Sequence, residues 1–109
     1  MPSDADLPPC AEPVQIFGDV EAIACGLAYG AMVFDVKPGC SIAPHSHASE
    51  EIWWVREGAG RATVGGQEFD VAAGTRLTVP PDTPHLVVNT SEHNLRVMAF
   101  WWREARHDE

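Results

Sequence analysis

The sequence predicts an all-β fold, a sandwich or barrel of short strands. From Val14 onward, short apolar runs alternate with turn residues, and no window keeps a helical periodicity for long. Two short runs flank Gly65-Gly66, which is typical of a β-hairpin. Many short strands at regular spacing, separated by Gly and Pro, are typical of a sandwich or a barrel.

The strands are expected in a regular order along the chain. The first apolar runs end at Gly18-Asp19, at Gly30 and at Lys37-Pro38-Gly39, so we expect three short strands before residue 40. Later strands are expected where apolar and β-branched residues gather between Gly-rich and Pro-rich turns. In numbers, the expected strands are 14–17, 22–29, 32–36, 51–56, 61–64, 67–71, 76–79, 85–88 and 95–102.

Size and charge limit the function. The 109 residues suit one compact domain, expected at 14–109 after a flexible N-terminal arm at 1–13 that is rich in Pro, Asp and Ala. The formal net charge of -9 and the lack of any Lys/Arg cluster disfavour nucleic acid and anionic membrane surfaces as partners. The sequence contains no apolar run long enough to span a membrane.

The N-terminus and the cysteines predict a cytoplasmic protein. Residues 1–6 are acidic and lack the basic-then-apolar order of a secretory signal. The three cysteines, Cys10, Cys25 and Cys40, are odd in number and widely spaced, so we expect reduced thiols that behave as small apolar side chains.

A group of histidines and one carboxylate predicts a metal site. His45 and His47 are two residues apart, so on a strand their side chains share a face. Glu51 begins the next apolar run and can reach the same point from an adjacent strand. His85 follows the Pro-rich turn 80–84, which can fix the start of its strand. Imidazole and carboxylate groups together suit transition metals.

The spacing of these residues resembles the first motif of the cupin family. That motif, GxxxxxHxHxxxExxxxxxG, is matched from Gly39 through His45, His47 and Glu51 to Gly58.

The second cupin motif, GxxxxxPxGxxHxxxN, is matched by Gly74, Pro80, His85 and Asn89. Its one departure is Asp82, which stands where the motif has glycine. Asp tolerates left-handed backbone better than most residues, so this departure affects a turn and removes no ligand.

The resemblance implies a cupin barrel, that is, a double-stranded β-helix or jelly roll of two antiparallel sheets. It implies that His45, His47, Glu51 and His85 bind one divalent transition metal ion, such as Fe, Mn, Ni or Zn. This ligand set would leave positions open on the ion for water, a substrate oxygen or dioxygen.

Strand alternation suggests which residues line a substrate pocket. Trp53 shares the face of Glu51, so its indole is either a wall of the pocket or core packing. Asn89 shares the face of His85. Arg61 could orient a substrate carboxylate if it lies inside the barrel, and is a solvated residue if it lies outside.

Both faces of the strands that carry Glu51 and His85 are apolar, so the face that does not line the barrel needs a cover. A second subunit would supply it in a homodimer. The alternative is that the strands of residues 14–36 cover this face within one chain.

The function expected from the resemblance is a metal-dependent enzyme acting on a small oxygenated organic substrate, of dioxygenase or isomerase/cyclase type. The alternatives are a non-catalytic module that binds a small ligand and a structural role in which the metal is a staple. Loss of turnover on adding a chelator would support the enzyme, and recovery of an unchanged ligand would support the binding module. Unfolding without the metal would support the structural role.

Overall fold

The computed structural model describes residues 14–42 and 47–105, and within these ranges the chain forms eight strands and no helix. The described part therefore has no helix long and apolar enough to cross a membrane. The expected arm at 1–13, His45 and residues 106–109 lie outside the described residues. The strands are β1 (Val14–Ala24), β2 (Leu27–Val36), β3 (Glu50–Glu57), β4 (Ala59–Val64), β5 (Gln67–Ala72), β6 (Arg76–Val79), β7 (His85–Val88) and β8 (Leu95–Glu104).

The strands form two antiparallel sheets, which confirms the all-β jelly-roll prediction. The larger sheet has the order β1-β2-β8-β3-β6, and the smaller has the order β5-β4-β7. Their inner faces enclose a core of small and branched apolar side chains, because alternate residues of each strand point inward. Core residues of the larger sheet are Val36, Val55, Val79, Leu95 and Val97, and those of the smaller sheet are Ala62, Val71 and Val87.

The first third of the chain differs from the expected three short strands. It forms one long hairpin, β1–β2, whose turn lies at Cys25 and Gly26, with φ angles of 53° and 76°. Gly30 lies inside β2, where an added Cβ would come within 2.5 Å of the Trp101 ring. Gly30 is therefore a site of close packing between strands, and the prediction that it ends a strand was wrong.

Gly18 also lies within a strand, at a β-bulge. The pairing of β1 with β2 shifts register between Ile16 and Gly18, so Phe17 is the extra residue. Ile16 pairs with the inward-facing Phe34, whereas Asp19 pairs with Met32, two residues before Phe34 on β2. The bulge thus changes which residues of β1 face the barrel interior, from even numbers before it to odd numbers after it.

The outer face of the larger sheet has no cover in the described ranges. β1 and β2 are hydrogen-bonded members of this sheet, so the alternative that residues 14–36 cover it was wrong. No other described strand packs on this face. Its apolar side chains are half-buried or exposed, and they include Val20, Tyr29, Ile52, Trp54, Phe100 and Trp102.

The cysteines differ from one another. Cys25 is free and exposed in the β1–β2 turn. Cys40 is buried and disulfide-bonded, so the expectation of a reduced thiol was wrong for this residue.

Candidate metal centre

Glu51 is held inside the barrel at the start of β3. Its partners in the neighbouring strands are Val79 of β6 and Trp101 of β8, and only 7% of its surface is exposed. The indole Nε1–H of Trp53 donates a 2.8 Å hydrogen bond to Oε1 of Glu51. Strand alternation puts both side chains on the inner face, as the sequence predicted. One carboxylate oxygen is therefore fixed by the indole, and its orientation is set by a rigid ring.

His85 is the first residue of β7 and is 2% exposed. Its Nδ1 lies 2.9 Å from the carbonyl oxygen of Thr83. A carbonyl can only accept, so Nδ1 carries the proton and donates, which leaves Nε2 with its lone pair. Nε2 lies 3.7 Å from Oε2 of Glu51. This is the arrangement in which a backbone carbonyl orients a metal-binding imidazole.

His47 approaches from the loop before β3, and its side chain is exposed. Its carbonyl oxygen accepts a 2.6 Å hydrogen bond from the backbone N–H of Asp82, and its ring centroid lies 5.4 Å from that of His85. Asp82 has a φ of 55°, the left-handed conformation that suits the glycine of the motif. The turn conformation expected there is thus kept, and its backbone holds the His47 loop.

The potential ligand atoms of His47, Glu51 and His85 all lie within 4.8 Å of one another. Neighbouring ligands that bind one ion at about 2.1 Å lie about 3 to 3.5 Å apart, so the ligand atoms would move closer together around an ion. Two imidazoles and a carboxylate are a donor set for a divalent transition metal, so these residues fit such an ion. His45, the fourth expected ligand, lies outside the described residues.

The segment before the His47 loop is fixed by the smaller sheet. Ile42 N–H donates to the Val87 carbonyl at 3.1 Å, and Ser41 forms an isolated bridge with Val88. This segment therefore runs beside the strand that begins with His85, which directs the chain toward the cluster.

Two cavities meet at the cluster. One is an apolar chamber of about 140 Å³, and the other is a polar mouth of about 330 Å³. Both are lined by Met32 and by the candidate ligands His47 and Glu51. The chamber is otherwise lined by Val14, Ile16, Phe34, Ile42 and Trp53, and the mouth by Asp19, Glu21, Ser49, Trp101 and Arg103.

Of the three predicted pocket residues, Trp53 lines the chamber. It is 2% exposed, and its ring lies edge-on to His85 with centroids 5.2 Å apart and to Phe34 at 6.4 Å. The sequence left two alternatives for Trp53: a wall of the pocket or a residue of the packed core. The structure shows both, because the same ring packs on the core and borders the chamber.

The structure places Arg61 outside the barrel. Its side chain is 55% exposed and lies 3.4 Å from Asp70 and 3.9 Å from Glu68 on the neighbouring strand β5. The alternation of β4 points Ala62 inward and therefore Arg61 outward. The solvated alternative is the correct one, and Arg61 does not line either cavity.

Asn89 is fully buried but serves the backbone, which corrects its expected place in the pocket. Its Nδ2 donates to the carbonyls of Val36 and His93, at 2.8 and 2.7 Å, and its Oδ1 accepts from the backbone and hydroxyl of Ser91. The amide thus joins β2 to the loop after β7, and Asn89 is not among the described residues that line the chamber or the mouth.

The charged mouth residues Asp19, Glu21 and Arg103 were not identified from the sequence. Asp19 and Glu21 face inward because of the bulge at Phe17, and a bulge has no reliable signal in one sequence. Arg103 and Trp101 could have been found, because residues of β8 at alternate positions share the face of the buried Leu95, Val97 and Ala99.

The described residues form a two-sheet antiparallel barrel with a His/Glu cluster that could hold a metal ion. The family model described as a cupin domain matches residues 32–101, and this chain therefore belongs to the cupin family. The chain is 31% identical over 75 residues to the uncharacterized protein MJ1618 of Methanocaldococcus jannaschii. The match covers 68% of this chain and 60% of that relative, so the chain spans less than two thirds of its length.

Solved structures share the fold. KdgF from Halomonas sp. superposes with a TM-score of 0.68 at 23% identity, over 90% of this chain and 84% of that one. A cupin 2 conserved barrel domain protein from Salinispora arenicola superposes with a TM-score of 0.63 at 27% identity, over 83% and 74% of the two chains. These likenesses support the jelly-roll barrel.

Proposed function

We propose that this cupin is a metal-dependent enzyme that acts on a small oxygenated organic substrate, by dioxygenase or isomerase/cyclase chemistry. The observation that carries the proposal is the position of the His47, Glu51 and His85 cluster, where an apolar chamber and a polar mouth meet. A small molecule in these cavities lies directly beside the candidate ligands. Pockets of this kind, with few polar groups at one point of an apolar wall, are typical of small-molecule sites.

The proposed ligands of one divalent transition metal ion, such as Fe, Mn, Ni or Zn, are His45, His47, Glu51 and His85. When bound, such an ion supplies Lewis-acid or oxygen-activating chemistry. The protein's own contribution is orientation: Trp53 fixes the Glu51 carboxylate, and the Thr83 carbonyl fixes the tautomer of His85.

Asp19 and Glu21 are the groups of the mouth that can exchange protons with a substrate. Both face the cavity that contains His47 and Glu51, and neither is a member of the cluster. A carboxylate beside a reacting group is a common general base. We therefore propose that proton transfer, if the reaction needs it, takes place on the mouth side of the cluster and not in the apolar chamber.

A second candidate function is non-catalytic binding of a small ligand. It is favoured by the chamber, whose described lining offers no titratable side chain other than the candidate ligands His47 and Glu51. Tight binding of a compound that is recovered chemically unchanged, as shown by mass spectrometry, would support this candidate over the enzyme.

The first experiment is the metal content of protein purified without chelators or a His-tag. We expect about one transition metal ion per chain in the wild type and less than about a tenth of that in His47→Ala. The matched control is His93→Ala, because His93 is exposed on the loop before β8. Wild type that remains free of metal after reconstitution, with folding verified by circular dichroism, would overturn the metal-dependent function.

We also propose that the chain forms a homodimer through the outer face of the larger sheet. The centre of this face is apolar, and a large exposed apolar patch is typical of an interaction surface. Charge is separated along it. One end carries Arg56 and Arg76, and the other carries Glu50 and Glu104. Arg96 lies at the arginine end but is paired with Asp35, which raises its pKa.

A second copy fits this charge distribution. In a dimer whose two-fold axis lies in the interface and runs across the strands, the arginine end of one copy lies against the glutamate end of the other. We expect sedimentation analysis to give a dimer for the wild type and a monomer for Phe100→Arg, which inserts a charge at the centre. Thr63→Arg, on the outer face of the smaller sheet, is the control. A monomeric wild type at about 100 μM would contradict the proposal.

A further inference from the structure

The chamber beside the cluster differs from the mouth in its chemistry. Among the described residues, eight line it: six are apolar, namely Val14, Ile16, Met32, Phe34, Ile42 and Trp53, and the other two are the candidate ligands His47 and Glu51. The one polar atom of the Trp53 side chain, Nε1, is hydrogen-bonded to Glu51. A hydroxylated group in the chamber would lose its bonds to water and gain few in return, which costs free energy.

The volume of the chamber is comparable to that of a cavity that holds one aromatic ring. A cavity of about 150 Å³ lined by Leu, Ile and Phe binds benzene in another protein, and this chamber has about 140 Å³. Phe34 and Trp53 supply aromatic surfaces that are already packed edge-to-face, at a ring angle of 76°. Aromatic rings bind such surfaces by stacking and by edge contacts.

The side chains that line the mouth indicate which groups the rest of the ligand carries. It is lined by the ionisable side chains of Asp19, Glu21 and Arg103. Since mouth and chamber share Met32, His47 and Glu51, one molecule can occupy both and pass the candidate metal ligands between them. Such a molecule has an apolar group at one end and polar groups at the other.

We propose that the substrate or ligand of this site is a small amphipathic molecule with an aromatic or similarly sized hydrocarbon group, bound in the chamber, and oxygen atoms that face the cluster. This inference rests on the proposed function for the role of the oxygen atoms. The chamber itself selects against sugars and other fully hydroxylated compounds.

A pair of probes with the same polar head tests the proposal. 1-Phenyl-1,2-ethanediol and 1,2-propanediol both present a vicinal diol and differ in a phenyl or a methyl group. On wild-type protein reconstituted with zinc, we expect the phenyl diol to bind at least about tenfold more tightly, because burying a ring of this size favours binding. The chemical shifts of ¹³C-labelled methionine methyl groups report the binding, with Met32→Leu to assign the signal.

The position of binding has its own controls. The Met32 methyl borders the chamber and should shift, whereas Met98 pairs with Val33 and Trp54 on the outer face and should not. Ile16→Asp, a change at a 57% exposed lining residue, should remove at least about nine tenths of the affinity for the phenyl diol. Val20→Asp, at a 67% exposed residue of the same strand, should not.

The outcomes separate this proposal from the metal-dependent function. Equal affinities for the two diols, an unchanged Met32 signal, or an Ile16→Asp variant that binds as the wild type does would each overturn the chamber proposal, whatever the metal content. A protein that binds no metal but keeps the phenyl preference and the Met32 shift would support the chamber and overturn only the metal-dependent function.

Discussion

Replacing Trp53 by Phe removes one hydrogen bond from the candidate metal centre and keeps most of the ring. The bond joins Nε1 of Trp53 to Oε1 of Glu51 at 2.8 Å, in a position where both residues are buried. Hydrogen bonds to charged groups contribute about 1.5–3 kcal/mol. Since about 1.4 kcal/mol corresponds to a factor of ten in an equilibrium constant, we expect metal affinity to fall about 10- to 100-fold.

The neighbouring Trp54→Phe is the matched control for this substitution. Trp54 lies on the outer face, where the guanidinium groups of Arg56 and Arg76 lie 4.3 and 4.9 Å from its ring centre, and it does not contact Glu51. Metal affinity is measured by competition with a chromophoric chelator, and urea unfolding of the metal-free proteins corrects for lost stability. A Trp53→Phe variant that binds metal within about twofold of the Trp54→Phe variant would refute the role assigned to this hydrogen bond.

Three further substitutions test the structure around the site. Asn89→Ala removes the side-chain donor from the buried Val36 carbonyl and one of two donors from the His93 carbonyl, so it should lower the free energy of unfolding by about 1–3 kcal/mol in urea titrations, whereas the exposed Thr90→Ala should change it by less than about 0.5 kcal/mol; equal effects would contradict the structural role. Gly30→Ala places a methyl group 2.5 Å from the ring of Trp101, so we expect a loss of about 1–3 kcal/mol and a changed tryptophan fluorescence, and an unchanged spectrum and melting temperature would count against the contact. Asp82 has a φ of 55°, so Asp82→Val should lower the free energy of unfolding by about 1–2 kcal/mol and Asp82→Gly by much less. Similar losses for both variants would show that the backbone conformation is not the cause.

The sequence predicted the second half of the fold better than the first. The hairpin at Gly65-Gly66 is confirmed, with φ angles of 56° and 84°. A two-residue hairpin turn with positive φ at both positions favours glycine, so the sequence signal is direct. Gly18 and Gly30 are both glycines inside strands, but for different structural reasons. Gly18 lies at a bulge, and Gly30 leaves room for the indole of Trp101. One sequence does not distinguish a glycine that turns the chain from a glycine that lets a neighbour approach.

For the candidate site, the sequence predicted residue types and faces but not what each polar atom contacts. The alternation that put Trp53 beside Glu51 is confirmed, since both are buried on the inner face. The bond between them depends on the rotamer of the indole, which the spacing of residues does not specify. Asn89 was correctly placed on the inner face, but its amide turned out to bind backbone carbonyls of two distant segments.

The bulge at Phe17 has a consequence for comparing this protein with its relatives. A relative that lacks this one residue would have regular alternation here, and the counterparts of Ile16, Asp19 and Glu21 would all still face the interior. Two chains could therefore differ in length by one residue in this strand and yet present the same acidic side chains to the mouth. A one-residue gap at position 17 in an alignment is thus compatible with an unchanged mouth, whereas alternation counted across Phe17 assigns the wrong face to every residue on one side of it.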